Sequence, residues 1–326
     1  MKVNEELKRP LLVAVWPGMG NVAINAGYYL MAKLGMHLES ELTARELFEI
    51  NHVDVSKGII RAGHLPRSRF FVWKDPKGER DLVVFLGEAQ PPTGVYPYCR
   101  HLIDHARELG VERVFTFAAM ATQMQLGEKS RIFGAATDEV SLAACRNIGM
   151  DVLQDGGISG LNGVLLGVAA ESSLPGTCLL GEMPHIFAQV PYPKASLAVL
   201  RTFRTLTGLE IDLGEMESQA EAMQKNLRLL MSRIEDAIGS GESEEEPSSD
   251  QPPEPEDTGA ATLDPDVEQH LEDLFARAAH DRSQAYRLKQ ELDRLDMFEK
   301  YEDRFLDLFK DSGAGDDDGN REESAA

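Results

Sequence analysis

Apolar runs and helical periods alternate along most of this chain. Residues 11–16, LLVAVW, form a short apolar run that stops at Pro17; Gly18 and Gly20 bracket Met19, and residues 22–35 continue with an amphipathic helical period closing on Gly35. That order predicts strand, glycine turn and helix. Residues 69–73 and 81–86 are β-rich runs separated by Asp-Pro-Lys-Gly at 75–78, a hairpin signal. The spacing then predicts a helix over 98–109 capped by Gly110, strands over 112–118 and 131–137, and a helix over 138–148 with Thr137 or Asp138 as N-cap. A glycine-rich stretch at 155–163 leads into an apolar helix over 161–170, then a strand over 177–181, a loop over 184–193 and a helix over 195–208. Strands alternating with helices imply an α/β fold: three layers, α/β/α, around a mixed, mostly parallel sheet. The hairpin at 75–78 requires at least one antiparallel pair.

The pattern changes near residue 213. One long helix is predicted over 213–238, with Met216, Ala220, Met223, Leu227, Leu230 and Ile234 on one stripe. We therefore read 1–238 as the α/β/α domain. Residues 239–265 are rich in Ser, Pro and Glu and carry no aromatic side chain, the composition of a disordered linker. Asp264 or Asp266 then caps a helical hairpin over 266–310, broken at 280–283. Its stripes are Val267, Leu271, Leu274 and Phe275, then Leu288, Leu292, Leu295, Phe298, Phe305, Leu308 and Phe309. So short a module cannot hide both stripes by itself and should dock on the body or on a partner. Residues 311–326 read as an acidic, disordered tail. On this division, a cut at Gly239 leaves the body folded and alters assembly or solubility.

Charge is uneven. Residues 1–238 carry 24 Lys and Arg against 28 Asp and Glu, whereas residues 239–326 carry 9 against 27. The near-neutral body argues against a nucleic-acid partner, which needs a basic face. Cys99, Cys145 and Cys178 are widely spaced, as expected of free thiols in a reducing cytoplasm. The first residues do not read as a signal peptide, and no apolar run approaches the ~18 residues of a membrane span.

Parallel strands would bring loops 17–21, 87–94, 120–125 and 156–163 together at their carboxyl ends, where α/β sheets bind ligands. The candidate ligand-binding residues there are Gly18, Gly20, Asn21, Glu88, Thr122, Asn162 and Glu182. Glu88 and Glu182 could pair for acid–base work or magnesium binding, although surface and capping roles are commoner for such residues. The turn at 17–21 lacks the third glycine of a dinucleotide fingerprint and the Lys-Ser/Thr of a phosphate loop. Ser159 lies in Gly-Ile-Ser-Gly, which departs from a nucleophile elbow and reads as a helix N-cap. His101 and His105 lack the intervening Glu and the third ligand of a zinc site. No catalytic residue, metal or cofactor is assigned.

The chain carries, in order, WPGMGNVA at 16–23, GEAQP at 87–91, ISGLNGVLLG at 158–167, LLGE at 179–182 and the PKASL helix start at 193–197. Together these segments resemble the proteasome-assembly-chaperone family. The resemblance covers about residues 9–238. It implies an α/β/α fold similar to phosphorylase/hydrolase-like domains, and self-association or pairing with a related subunit. Eukaryotic members help assemble the proteasome core ring, and archaeal relatives resemble such chaperones. Some prokaryotic relatives are named with the ATP-grasp superfamily, but this chain shows no magnesium carboxylates at ATP-grasp spacing. Proteasome-binding members can end in hydrophobic-Tyr-any residue, whereas the sequence here ends Glu-Glu-Ser-Ala-Ala. The resemblance carries over no catalytic residue. The expected function is a non-enzymatic cytoplasmic scaffold or assembly factor: a homo-oligomer with a proteasome-related or other protein client. The alternative is a nucleoside- or nucleotide-binding enzyme or sensor using the strand-end cleft.

Overall fold

The computed structural model describes residues 6–43, 45–48, 53–56, 58–61, 65–239 and 265–310. Most of the expected linker and tail, 240–264 and 311–326, therefore lies outside the described residues.

Strand β1 (Leu11–Val15) stands in the middle of the main sheet. All its residues are buried, and they alternate between two cores. Leu11, Val13 and Val15 face one way, and Leu12 and Ala14 the other. A strand apolar on both sides needs helices on both faces of its sheet. Helix α1 (Val22–Lys33) comes after it, then β2 (His37–Glu41), the short strands β3 (Asp54–Ser56) and β4 (Ile59–Arg61), β5 (Ser68–Trp73) and β6 (Leu82–Gly87). Next come α2 (Val95–Glu108), β7 (Arg113–Thr122), β8 (Ile132–Ala136), α3 (Glu139–Asn147), β9 (Asp151–Val152), α4 (Gly160–Glu171), β10 (Gly176–Pro184) and α5 (Pro193–Thr207). The main sheet runs β2-β5-β6-β1-β7-β10-β8-β9; β6, β1, β7 and β10 are mutually parallel, and β3 and β4 pair separately. The hairpin at 75–78 joins β5 to β6 antiparallel, and Asp138 caps α3 by accepting from Ser141 N at 2.9 Å.

Two expected strands are longer than predicted. β7 runs through Thr122 and β10 through Pro184, with Glu182 paired opposite Met120, so Thr122 and Glu182 stand within the sheet instead of in loops. Each strand holds the other extended, a tertiary effect that local propensity does not report.

Helix α1 also departs from expectation. Eleven of its twelve residues are buried, so it is covered all round and not amphipathic. The sheet covers one side. Helices α5, α6 (Gly214–Gly239), α8 (Ala285–Arg294) and α9 (Phe298–Asp307) meet the rest of it, α7 (Pro265–His280) packs on α8, and all belong to one continuous core. The 265–310 segment holds three helices, because the chain breaks at 281–284 and again at Asp296, whose φ of 54° is left-handed. Tyr29 packs edge-on against Tyr286 at 4.6 Å between ring centroids, and Phe71 packs against Phe309 at 6.0 Å. Phe309 O accepts from Leu38 N at 2.7 Å, which closes part of the β2 edge.

The module thus supplies core packing to the body. We predict that a cut after Gly239 lowers the thermal midpoint sharply and exposes dye-binding apolar surface, contrary to the expectation from sequence. Leu292→Ala, at a fully buried position, should cost about 2–5 kcal/mol in denaturant unfolding. A truncated body that melts with the full chain would refute this account.

Candidate strand-end site and family membership

The four parallel strands deliver their carboxyl ends to one side of the sheet, as the site hypothesis requires. Side-chain alternation then separates the candidates. Glu88 comes after β6 in the row of Leu82, Val84 and Leu86, which faces α1. Glu182 continues the β10 row of Cys178 and Leu180, which faces α2 and α4. The period of two puts these carboxylates on opposite faces of the sheet. They form no pair, and each has its own arginine.

Glu182 is nearly inaccessible. Arg131 grips it with Nε on Oε2 at 2.9 Å and Nη2 on Oε1 at 2.8 Å, and Thr122 Oγ1 donates to Oε1 at 2.8 Å. The Arg131 guanidinium holds this carboxyl below the usual carboxylate range. Glu88 accepts from Arg67 N at 2.8 Å and lies 2.9 Å from Arg69 Nη1. Arg69, only 1% exposed, is also held by Asp303 of α9 at 2.6 Å. Beside them Tyr28 donates to Glu302 at 2.5 Å, and burial pushes the Glu302 carboxyl up. Glu88 therefore belongs to the polar layer beneath the C-terminal helices.

The glycine turn is built by contact with β10 and the 185–192 segment beyond it. Gly20 has φ of 59°, and a Cβ there would meet Met183 Cε at 2.7 Å. Its N–H donates to Ala188 O and its carbonyl accepts from Tyr192 N, each at 2.8 Å. Asn21 is left-handed at φ 49° and caps α1 with no side-chain bond. Gly18 is extended, with open space where a side chain would stand, so packing within the chain does not require glycine there. Pro17, Gly18 and Met19 form an exposed tip, and Ile186, on the segment tied to Gly20, is also exposed.

Asn162 sits in the first turn of α4. That helix has no side-chain N-cap of its own; Gln90 Oε1 accepts from Leu161 N at 3.3 Å instead. The Asn162 carbonyl accepts from Thr116 Oγ1 at 3.2 Å, and its buried Oδ1 has no hydrogen-bond partner. The sequence candidates thus fall into four groups: the turn at 18–21, Thr122 with Glu182, Glu88 and Asn162. Arg131, Arg69 and Gln90 complete them; of these, only Gln90 stood in one of the converging loops, whereas Arg69 and Arg131 were read as the first residues of strands. A groove of about 690 Å³, bounded by Arg131, Ile148, Lys194, Arg201 and Glu221, is lined by none of the seven candidates, although its Arg131 is bonded to Glu182. Among the described residues, no three His, Cys, Asp or Glu side chains gather as a metal site would require.

The sequence model of the PAC2 family matches residues 12–231. The chain belongs to the PAC2 family. An uncharacterized protein of Methanocaldococcus jannaschii is 27% identical over 234 residues, covering 69% of this chain and 84% of its own. Among solved structures, Pyrococcus furiosus PbaB, an archaeal proteasome activator, is similar at 25% identity with a TM-score of 0.59, over 70% of this chain and 96% of its own. A proteasome-assembly chaperone homologue from Mycobacterium tuberculosis shares the fold at 22% identity and TM-score 0.59, over 67% of this chain and 94% of its own. Helices α7–α9 lie beyond the residues that the PAC2 model matches.

The Arg131–Glu182 pair predicts an acid response. Because the folded carboxyl is held low, its stabilisation is present above the unfolded value of about 4.3 and is lost as pH falls through the folded value. Glu182→Gln should be less stable than wild type by about 1–3 kcal/mol at pH 7. The gap should narrow toward pH 3 in urea titrations; a gap unchanged across that range would rule out a charge contribution.

Proposed function

We propose that this PAC2 protein is a non-enzymatic assembly or scaffold factor acting through self-association and contacts with a protein client. One observation carries the reading. At the strand ends the two carboxylates are neutralised by arginines of the same chain, while Met19 and Ile186 stand 45% and 56% exposed on loops tied by two backbone hydrogen bonds. Large apolar side chains on a fixed surface suit protein recognition. The names of two relatives, a proteasome activator and an assembly-chaperone homologue, support a proteasome-related client. No described helix is long and apolar enough to cross a membrane.

A second reading, a nucleoside or nucleotide site at the strand ends, draws on the unpartnered Asn162 Oδ1, since a buried acceptor without a donor invites one from a ligand.

Pull-down with proteasome subunits from the same organism, alongside mass measurement of the purified protein, tests the first reading. We expect a multimeric mass and client capture, with capture reduced at least tenfold by Met19→Asp or Ile186→Glu while the melting curve is unchanged. A strict monomer capturing nothing would sink it. Saturable thermal stabilisation by a nucleoside or nucleotide, abolished in Asn162→Ala, would favour the second reading instead.

A further inference from the structure

The groove of about 690 Å³ lies between β8, α5 and α6 and takes no part in the function proposed above. Ile132, Met150, Leu197 and Ala198 supply its apolar walls. Its volume falls within the ~300–1,000 Å³ usual for small-ligand clefts. One end lies on the side of the sheet where the parallel strands finish. Strand β8 is antiparallel to β10, so residues 129–131 at its start stand on that side, and α5 begins there at Pro193, after β10.

That end is cationic. Lys129 and Lys194 line it; burial, and then the neighbouring Arg228, push the Lys194 ammonium down. Among the described residues none of these three cations is salt-bridged to a carboxylate. Glu128 also faces Lys194, but its Oε2 accepts from Gln125 N at 2.9 Å. The other two cations of the groove are taken, Arg131 by Glu182 and Arg201 by Glu217 at 2.7 Å. Ser130, 4% exposed, lines the same end, and its Oγ has no hydrogen-bond partner; Tyr192 Oη beside it is buried and also lacks a partner of hydrogen-bond geometry. A buried hydroxyl left unsatisfied is uncommon and suits a ligand oxygen. The 125–130 loop is held by both helices, because Lys194 Nζ donates to Glu128 O and Gln224 Nε2 donates to Leu126 O at 2.9 Å. Helix α5 has no side-chain N-cap and adds the positive end of its dipole.

We propose that this groove binds a phosphate monoester, with the phosphate among Lys129, Ser130, Lys194 and Arg228 and the organic body along Ile132, Leu197 and Ala198. A phosphate carries about two negative charges and three strong acceptor oxygens near neutral pH, which matches several cations and a hydroxyl donor better than a single carboxylate does. An anion placed there relieves the repulsion between Lys194 and Arg228. Glu221 lines the groove one turn before Gln224 and forms no ion pair among the described residues, so it is placed to accept from a hydroxyl or amino group of the body. The inference does not depend on self-association. Nor does it involve Asn162, which sits on α4 over the opposite face of the sheet from α5 and α6.

Calorimetric titration of the full-length protein tests it. The probes are adenosine 5′-monophosphate and 4-nitrophenyl phosphate, two monoesters with different bodies, with adenosine and inorganic phosphate as the separate parts of the first. We expect saturable one-to-one binding of at least one monoester, and adenosine monophosphate, if it is the one that binds, about tenfold or more tighter than either of its parts. Lys129→Gln and Arg228→Gln, both at exposed positions, should each weaken the monoester about tenfold with the melting curve unchanged. Ala198→Phe crowds the body and should weaken the monoester while leaving inorganic phosphate unaffected. Asn162→Ala should change nothing, which separates this groove from a nucleotide site at Asn162. The inference falls if neither monoester binds saturably, if both charge variants bind as the wild type does, or if Asn162→Ala abolishes binding. Should Ala198→Phe lose its circular dichroism, Thr202→Met repeats that arm with the same expected outcome.

Discussion

Helix α1 has no side fit for water. From Val22 to Ala32 it carries no charged residue, and every one of those positions is buried. A helix lying on one face of a sheet ordinarily keeps a polar face outward. Here the outward face holds Tyr28, Tyr29 and Met31, so a second shell of helices must cover the first. Helices α5 and α6 cover part of it, and α8 and α9, backed by α7, the remainder. The C-terminal module, beyond the matched PAC2 residues, is the outer wall of the family domain's own core. The module in turn depends on α1: its stripes at Leu271, Leu274, Phe275, Leu288, Leu292, Phe305 and Phe309 are buried in the same core. Neither apolar surface can be satisfied without the other.

That mutual cover includes a buried polar layer. Arg69 lies between Glu88 of the body and Asp303 of α9, with Arg67 joined to Glu41 and Asp303, and Tyr28 joined to Glu302. Such a layer adds little net stability, because desolvation offsets much of the attraction, but it is costly to break one partner at a time. It favours one placement of α9 over neighbouring ones, since a shift of one turn, about 5.4 Å, would strand the Arg69 guanidinium. Glu88 thus has a positioning duty in the fold.

The sequence made the scaffold legible where the signal was local. The first strand and its glycine turn, the 75–78 hairpin and the Asp138 cap each depend on a few adjacent residues, and all are present. Less was legible where partners decide the outcome. β2, HLESE, is mostly polar and becomes a strand only by pairing with β5. β3, β4 and β9 are two or three residues long and lack a period to read. Glu182 looked like a loop residue because a carboxylate interrupts the apolar run, yet Arg131 and Thr122 let it remain in the strand. The all-round burial of α1 matches an absence of charge across 22–32, but the helical period there reads as amphipathic, with Gly35 as its stop. In the candidate site, loop convergence came from the parallel strands, whereas the separation of Glu88 from Glu182 depended on which face each strand end presents. A one-residue difference in strand parity reverses that assignment, and sequence does not fix strand ends to one residue.

The two sheet edges are handled differently, and this bears on how the chain meets other proteins. An uncovered edge strand invites pairing with another chain. On the β2 side, the end of the C-terminal module closes in: Leu38 N donates to Phe309 O, and Arg282 Nη1 donates to Met36 O at 3.2 Å. On the other side, β9 is only two residues long, a common way to deny a partner a useful template. Backbone pairing between sheets is therefore disfavoured at both margins. What remains available at the β9 margin is side-chain contact, in the small-residue hollow beside it. An edge that is blunted for hydrogen bonding but still apolar favours specific docking over open-ended strand addition, because shape must match before burial is gained.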